Sequence, residues 1–163
     1  MKLFYRFVII STIVTGIISV YYEFALKAHW YILFFLATIL ILWLSSYAYS
    51  RKSFFQMLYL GELTIFFIKE MFIASSQVIF EVITPKSHAV AGLVALPLDV
   101  KSNLEITVLS SLISLTPGTL SVDVSEDRSH LFVHAMFIPH GDVEIIKQEL
   151  KLGFERRVHR IFN

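Results

Sequence analysis

Two stretches near the start of the chain carry no formal charge. Neither Phe7 to Tyr22 nor Ala28 to Ser50 contains an Asp, Glu, Lys or Arg. At helical rise they measure about 24 and 34 Å, against a hydrocarbon core of about 30 Å. The second is long enough to span a bilayer unaided. The first reaches that length by recruiting Leu3 to Tyr5, or by local thinning of the lipid. Lys2 and Arg6 precede it, yet no small-residue cleavage site follows and a second apolar run begins almost at once. A retained helical hairpin, turning at Glu23 to Lys27, is therefore expected rather than a secretory signal. Lys2, Arg6, Arg51 and Lys52 flank the pair, whereas Lys27 alone lies between the spans. That asymmetry puts both ends of the hairpin in the cytoplasm, and Trp30, Tyr31, Tyr47 and Tyr49 fall near the expected boundaries.

A third apolar stretch, 53–84, has a different texture. Glu62, Lys69, Glu70, Gln77 and Glu81 recur at steps near seven or eight, which gathers them on one sector of a helix. Phe55, Leu58, Leu63, Phe67, Met71 and Ile79 occupy much of the remainder. This pattern predicts an amphipathic helix lying at the membrane surface or packing its apolar face on neighbouring helices, with Pro85 as its stop. A third span is the rival reading. The stripe of Glu62, Lys69 and Glu70 is expected to face solvent or a partner.

From residue 86 onward the texture changes again. Eight Lys and Arg stand against nine Asp and Glu, a balance suited to water. Ala89 to Leu98 reads as a buried strand. Ser102 and Glu105 form a capping box ahead of a helix with Leu104, Val108, Leu112 and Leu115 on one side. Leu120, Val122 and Val124, then Leu131, Val133, Ala135 and Phe137, alternate as two strands joined by Ser125-Glu126-Asp127-Arg128. A last helix opens on Asp142 and Glu144, ends on Arg156, Arg157 and Arg160 as a helix dipole favours, and presents Ile146, Leu150, Phe154, Val158 and Ile161. The expected fold is thus a membrane α-helical hairpin (1–52), a long amphipathic helix (53–85) and a small cytoplasmic α+β domain (86–163) of order β-α-β-β-α and ferredoxin-like character.

Composition agrees with a membrane protein and narrows the chemistry. Of 163 residues 56% are hydrophobic, and mean hydropathy is +0.68, too apolar for an ordinary soluble protein. A net charge of +1 gives no footprint for nucleic acid. The absence of cysteine removes thiol nucleophiles and thiolate metal sites. No nucleophile elbow and no Gly-rich phosphate loop occurs, so neither a hydrolase nor a nucleotide cofactor is expected. His130 and His134 share a strand face without a third ligand, and Asp123, Glu126 and Asp127 read as turn chemistry. The two clean spans hold only Ser11, Thr12, Thr15, Ser19 and Thr38 in their middles. Hydroxyls that bond back to helix carbonyls are not an ion pathway. No catalytic, cofactor or metal residue is assigned.

The run LPLDVKS at Leu96 to Ser102, followed by ISLTPGTLSVDVSEDRSHLFVHAM ending at Met136, resembles the E subunit of the multisubunit Mrp-type sodium/proton antiporters of bacteria. The pattern T-P-G-T-L-x-V-[DE]-x-S-x-D-x-x-x-L-x-V-H reads almost through, with Arg128 where glycine is common in that family. The resemblance implies a multi-pass subunit of a bacterial inner-membrane complex exchanging a monovalent cation for protons. Its partners are then the other subunits of the complex and the lipid bilayer. It also implies an accessory role in assembly or full activity, the large subunits carrying the proton pathways. Thr116, Pro117, Gly118 and Thr119 match the motif residue by residue. They read either as a contact to another subunit or as a helix-to-strand corner, which Pro-Gly alone explains. The alternative to a transport role is a membrane-anchored binding or scaffold domain.

Overall fold

The computed structural model describes residues 2–21, 28–84 and 90–163. The turn Glu23 to Lys27, the stop at Pro85 and the first residue of the expected Ala89 strand lie outside the described residues, as do the side chains of Trp30, Tyr31 and Tyr49. Three long helices come first: α1 (Lys2–Tyr21), α2 (Ala28–Tyr49) and α3 (Arg51–Ile83). They lead to β1 (Gly92–Pro97), α4 (Asn103–Leu115), β2 (Thr119–Val124) and β3 (His130–Ala135). After a 3-10 turn at Pro139–Gly141 come α5 (Val143–Leu150), a π-helical turn at Lys151–Glu155 and α6 (Arg156–Phe162). The molecule is thus mostly helical with one three-stranded sheet, and it divides into two compact units, Met1–Leu58 and Tyr59–Asn163.

In the first unit α1 and α2, of 20 and 22 residues, are about 30 and 33 Å long. Ser11, fully buried, donates from Oγ to the Phe35 carbonyl at 3.3 Å and joins the two helices. Ile9, Ile13 and Ile17 of α1, and Leu36, Leu40 and Ile41 of α2, are exposed. Ser50 separates α2 from α3: its hydroxyl meets the Ser53 hydroxyl at 3.1 Å and accepts from Ser53 N at 3.4 Å, a cap for the new helix. Trp43 stacks on Phe54 at 4.9 Å across that break. Among the described residues, α3 is the one helix that is long and apolar enough by composition to cross a membrane. The described apolar stretches of α1 and α2, Ile9–Ile18 and Ile32–Leu44, are shorter.

The sheet of the second unit has the order β1-β3-β2, antiparallel at both junctions. β1 and β2 therefore run parallel on either side of β3, linked through α4 in a split β-α-β. Val94, Leu96, Leu131, Val133 and Ala135 point to one side of the sheet. There they pack with Ile106, Leu109 and Ile113 of α4 and with Ile146, Leu150 and Phe154 of the C-terminal helices. The face expected for α4 is corrected here: Leu104 and Leu115 are exposed, and the buried side is Ile106, Leu109 and Ile113. Apolar residues lie on nearly all sides of this helix, so its period alone could not choose the face. The capping box does form: Ser102 Oγ accepts from Glu105 N at 3.2 Å while Glu105 Oε2 accepts from Ser102 N at 3.2 Å and Oγ at 2.6 Å. Burial pushes the Glu105 carboxyl up, but the bonds from Ser102 and His159 outweigh it and hold it below the usual range.

Polar contacts join β2 to α4. Thr119 Oγ1 donates to the Ile113 carbonyl at 2.6 Å and Ser121 Oγ to the Ser110 carbonyl at 3.0 Å. A bulge between Ser121 and Asp123 then shifts the register. At the hairpin turn Arg128 has φ 57°, in the left-handed region where glycine is at ease. Arg128→Gly is expected to stabilise the hairpin by up to about 1 kcal/mol, the strain of that conformation less the entropy lost by glycine. A raised thermal unfolding midpoint of the full chain in mild detergent would register the gain; a lowered one would mean that the arginine side chain matters.

Candidate functional site

The Thr-Pro-Gly-Thr corner is accounted for locally, residue by residue. α4 must end with unpaired carbonyls. Thr116 Oγ1 donates to the Leu112 carbonyl at 2.9 Å, and Thr119 Oγ1 takes that of Ile113. Thr119 N donates to the Thr116 carbonyl at 3.2 Å, and Gly118 has φ 88°. Pro in the second and Gly in the third place of such a turn are what a type II geometry requires. The corner is tied to the sheet by Met136 N, which donates to the Gly118 carbonyl at 2.8 Å. A Cβ on Gly118 would stand 3.3 Å from the Phe137 ring. Gly118→Ala is therefore expected to cost about 1–2 kcal/mol from backbone strain, read as a lower unfolding midpoint, and an unchanged midpoint would refute the turn assignment.

The corner also forms one wall of a cleft of about 660 Å³ within the second unit. Phe66, Glu70, Ile73 and Gln77 of α3 face it, as do Phe137 and Pro139, Glu149 of α5 and Gly153 of the π turn. The structure thus brings the corner together with Glu70 of the α3 stripe. It does not bring the whole stripe: Lys69 is exposed, with its Nζ 3.9 Å from Glu70. Burial, with the Glu70 charge beside it, pushes the Glu149 carboxyl up from its usual range. Two carboxylates share this cleft, and the aromatic and aliphatic side chains around them make its walls mostly apolar.

Glu62, the third member of the stripe, points to the C-terminal helices. Its carboxylate lies 3.3 Å from Arg157 Nε and 3.2 Å from Arg160 Nη1. Arg157 also sits 3.9 Å over the Phe66 ring, and Arg160 4.2 Å over Tyr59. Both arginines read in the sequence as dipole partners, whereas each also reaches Glu62 of α3, about a hundred residues away in the chain. Pattern reading missed Glu155 altogether. It is 1% exposed, and Oε1 accepts from the backbone N–H groups of Asp99 and Val100, which closes the LPLDVK loop onto the C-terminal helices. An isolated acid between Phe154 and Arg156 on a helix with an apolar side was the available signal.

Other candidates come apart. His130 and His134 lie on the same face of β3 with Phe132 between them. At strand rise their Cα atoms are about 13 Å apart, too far to share a metal ion. Among the described residues no group of three His, Asp or Glu side chains could hold one. Asp127 is drawn down to about 2 by hydrogen bonds from Ser125 and Ser129 and serves the turn.

Comparison with known proteins gives a consistent result. A family model described as Na+/H+ ion antiporter subunit matches residues 8–161. The E subunit of the Na(+)/H(+) antiporter of Alkalihalophilus pseudofirmus is 40% identical over 92 residues, 56% of this chain and 57% of that protein. The alignment thus spans just over half of that relative's length. The corresponding E subunit of Bacillus subtilis is 35% identical over 127 residues, 74% of this chain and 79% of its own length. Among solved structures, a chain of the membrane-bound sulfane sulfur reductase, an archaeal respiratory membrane complex, is 22% identical. It covers 99% of this chain and 100% of its own with a TM-score of 0.55, a likeness of fold.

Proposed function

We propose that this chain, which belongs to the Na+/H+ ion antiporter subunit family, is an accessory, non-catalytic membrane subunit of a multisubunit Mrp-type antiporter. The complex would exchange a monovalent cation, sodium by the names of the relatives, for protons. In this reading α1 and α2 form a transmembrane hairpin within 1–52, and 53–85 is an interfacial helix. Residues 86–163 form a cytoplasmic α+β domain of ferredoxin-like kind that supports assembly or full activity.

The polar chemistry of α1 and α2 supports this reading most. A conduction path needs ionisable or strongly polar groups at bilayer depth. Between residues 7 and 22, and between 28 and 50, there is no Asp, Glu, Lys or Arg. The hydroxyls of Ser11, Thr38 and Ser46 are spent on the carbonyls of Phe35, Phe34 and Trp43. In α3, Glu62 is already neutralised by Arg157 and Arg160. The chain reconstituted alone into liposomes is expected to produce no sodium-driven pH change. Membranes expressing the remaining subunits without it are expected to lose most of their exchange and regain it when the chain is supplied. Exchange by the chain alone, or a stable solitary monomer in mild detergent, would refute the accessory role.

A further inference from the structure

We infer that the face of the β-sheet turned away from α4, left uncovered among the described residues, docks another protein subunit, one whose contact region is apolar at its centre and basic at one edge; the inference rests on the subunit reading above. One face of the sheet packs on α4 and the C-terminal helices. On the other, the register sets Leu93 and Leu120 on either side of His134, and Ala95 and Asp123 on either side of Phe132. Antiparallel sheets open to water turn polar residues outward. Here Leu93, Leu120 and Val122 are 61%, 55% and 57% exposed. The outer side of α5 gives the contrast, with Glu144 and Gln148 exposed there. Leu93, Leu120 and Val122 thus gather as an apolar patch on one face of the sheet, and patches of this kind mark contact sites.

Charge selects the occupant. Asp123 stands at the edge of the face, and Glu126 and Asp127 follow in the turn beyond it, with Arg128 the single cation of that hairpin. Asp127 is fixed in place by Ser129, whose N–H and hydroxyl both donate to its Oδ1. An anionic lipid surface would be repelled by this edge. A second copy of the chain offers no Lys or Arg on any of the three strands to answer it. A protein surface with lysines or arginines beside an apolar patch is both attracted and oriented.

The test uses the full chain co-expressed with the remaining subunits. A photo-crosslinking amino acid is placed at Leu93 or Leu120, with Gln148 on α5 as the control. Leu93 and Leu120 are expected to give adducts with one other subunit of the complex, mapped to a peptide with Lys or Arg beside apolar residues, and Gln148 none. Leu120→Asp is expected to lower recovery of the complex on the order of tenfold, equivalent to about 1.4 kcal/mol. The pair Asp123→Lys and Glu126→Lys should lower it severalfold, with the unfolding midpoint of the chain unchanged in both variants. Adducts with lipid alone, with a second copy alone, or from Gln148 in preference would overturn the inference, as would indifference to charge reversal. A chain that purifies without any other subunit overturns the subunit reading and this surface together. Co-purification without sheet-face adducts overturns the surface alone.

Discussion

Replacing Glu155 with alanine is expected to lower the stability of the second unit by about 3–5 kcal/mol, the largest loss from any single side chain outside the apolar core. The side chain is 1% exposed, and its Oε1 holds the N–H groups of Asp99 and, at 3.1 Å, Val100. Hydrogen bonds to a charged group contribute about 1.5–3 kcal/mol each, and the truncation leaves the fully buried Val100 with an unsatisfied donor. Glu155→Gln retains a carbonyl acceptor, and about half the loss is expected. It places an amide NH2 where Oε2 is buried without a partner, so it does not restore full stability. Hydrogen exchange gives the sharpest readout. The Asp99 and Val100 amides should lose protection in both variants, in step with a lower unfolding midpoint. Glu149→Gln makes the contrast. Burial and Glu70 raise its pKa, so the folded state binds that proton more tightly than the unfolded chain does. The resulting destabilisation is absent below the ordinary carboxylate range and complete above the raised pKa. Glu149→Gln should therefore leave stability equal or slightly higher at neutral pH. If Glu155→Ala behaved like Glu149→Gln, the loop clasp would have no energetic role.

The contrast between Glu155 and the corner shows what a sequence discloses. Thr116 to Thr119 was legible because its requirements are local: a proline in one place, a positive φ in the next, and two hydroxyls for the loose helix end. The alternation of Leu131, Val133 and Ala135 was legible because β3 buries one face only. α4 was misread on its buried side because Ile106, Leu109 and Ile113 compete with Leu104, Leu112 and Leu115 at the same period. The C-terminal helix held a subtler hint. Ile146, Leu150, Phe154 and Val158 are spaced by fours, and on a regular helix three such steps drift by about 120°. All four are nonetheless buried, because the π turn at Lys151–Glu155 takes up the drift. The cleft joining the corner to Glu70 exists only in the folded chain, where segments far apart in the sequence meet.

Arg157→Ala is expected to release α3 from the C-terminal helices at a local cost of about 2–3 kcal/mol, built from several modest contributions. The guanidinium lies 3.9 Å over the Phe66 ring, a contact worth about 0.5–2 kcal/mol depending on desolvation. Its Nη1 donates to the carbonyls of Leu152 at 3.1 Å and Gly153 at 2.7 Å, within the π turn. Its buried Nε meets Glu62 at 3.3 Å by charge rather than by an aligned hydrogen bond. Because Glu62 is 41% exposed, that pair adds little by itself. Arg157→Lys keeps the charge but cannot stack on the ring and reach both carbonyls together, so it should recover less than half of the loss. The same seam explains why residue 153 is glycine: a Cβ there would stand 3.0 Å from Phe66 Cζ. Gly153→Val should loosen α3 by a different route, through overpacking. Hydrogen exchange separates a clasp from a core element. Amides around Leu63 to Glu70 should exchange faster in Arg157→Ala and Gly153→Val while Val133 in the central strand keeps its protection. Equal loss of protection in α3 and β3 would make the seam part of the domain core, and unchanged exchange in α3 would leave the Arg157 contacts without energetic weight.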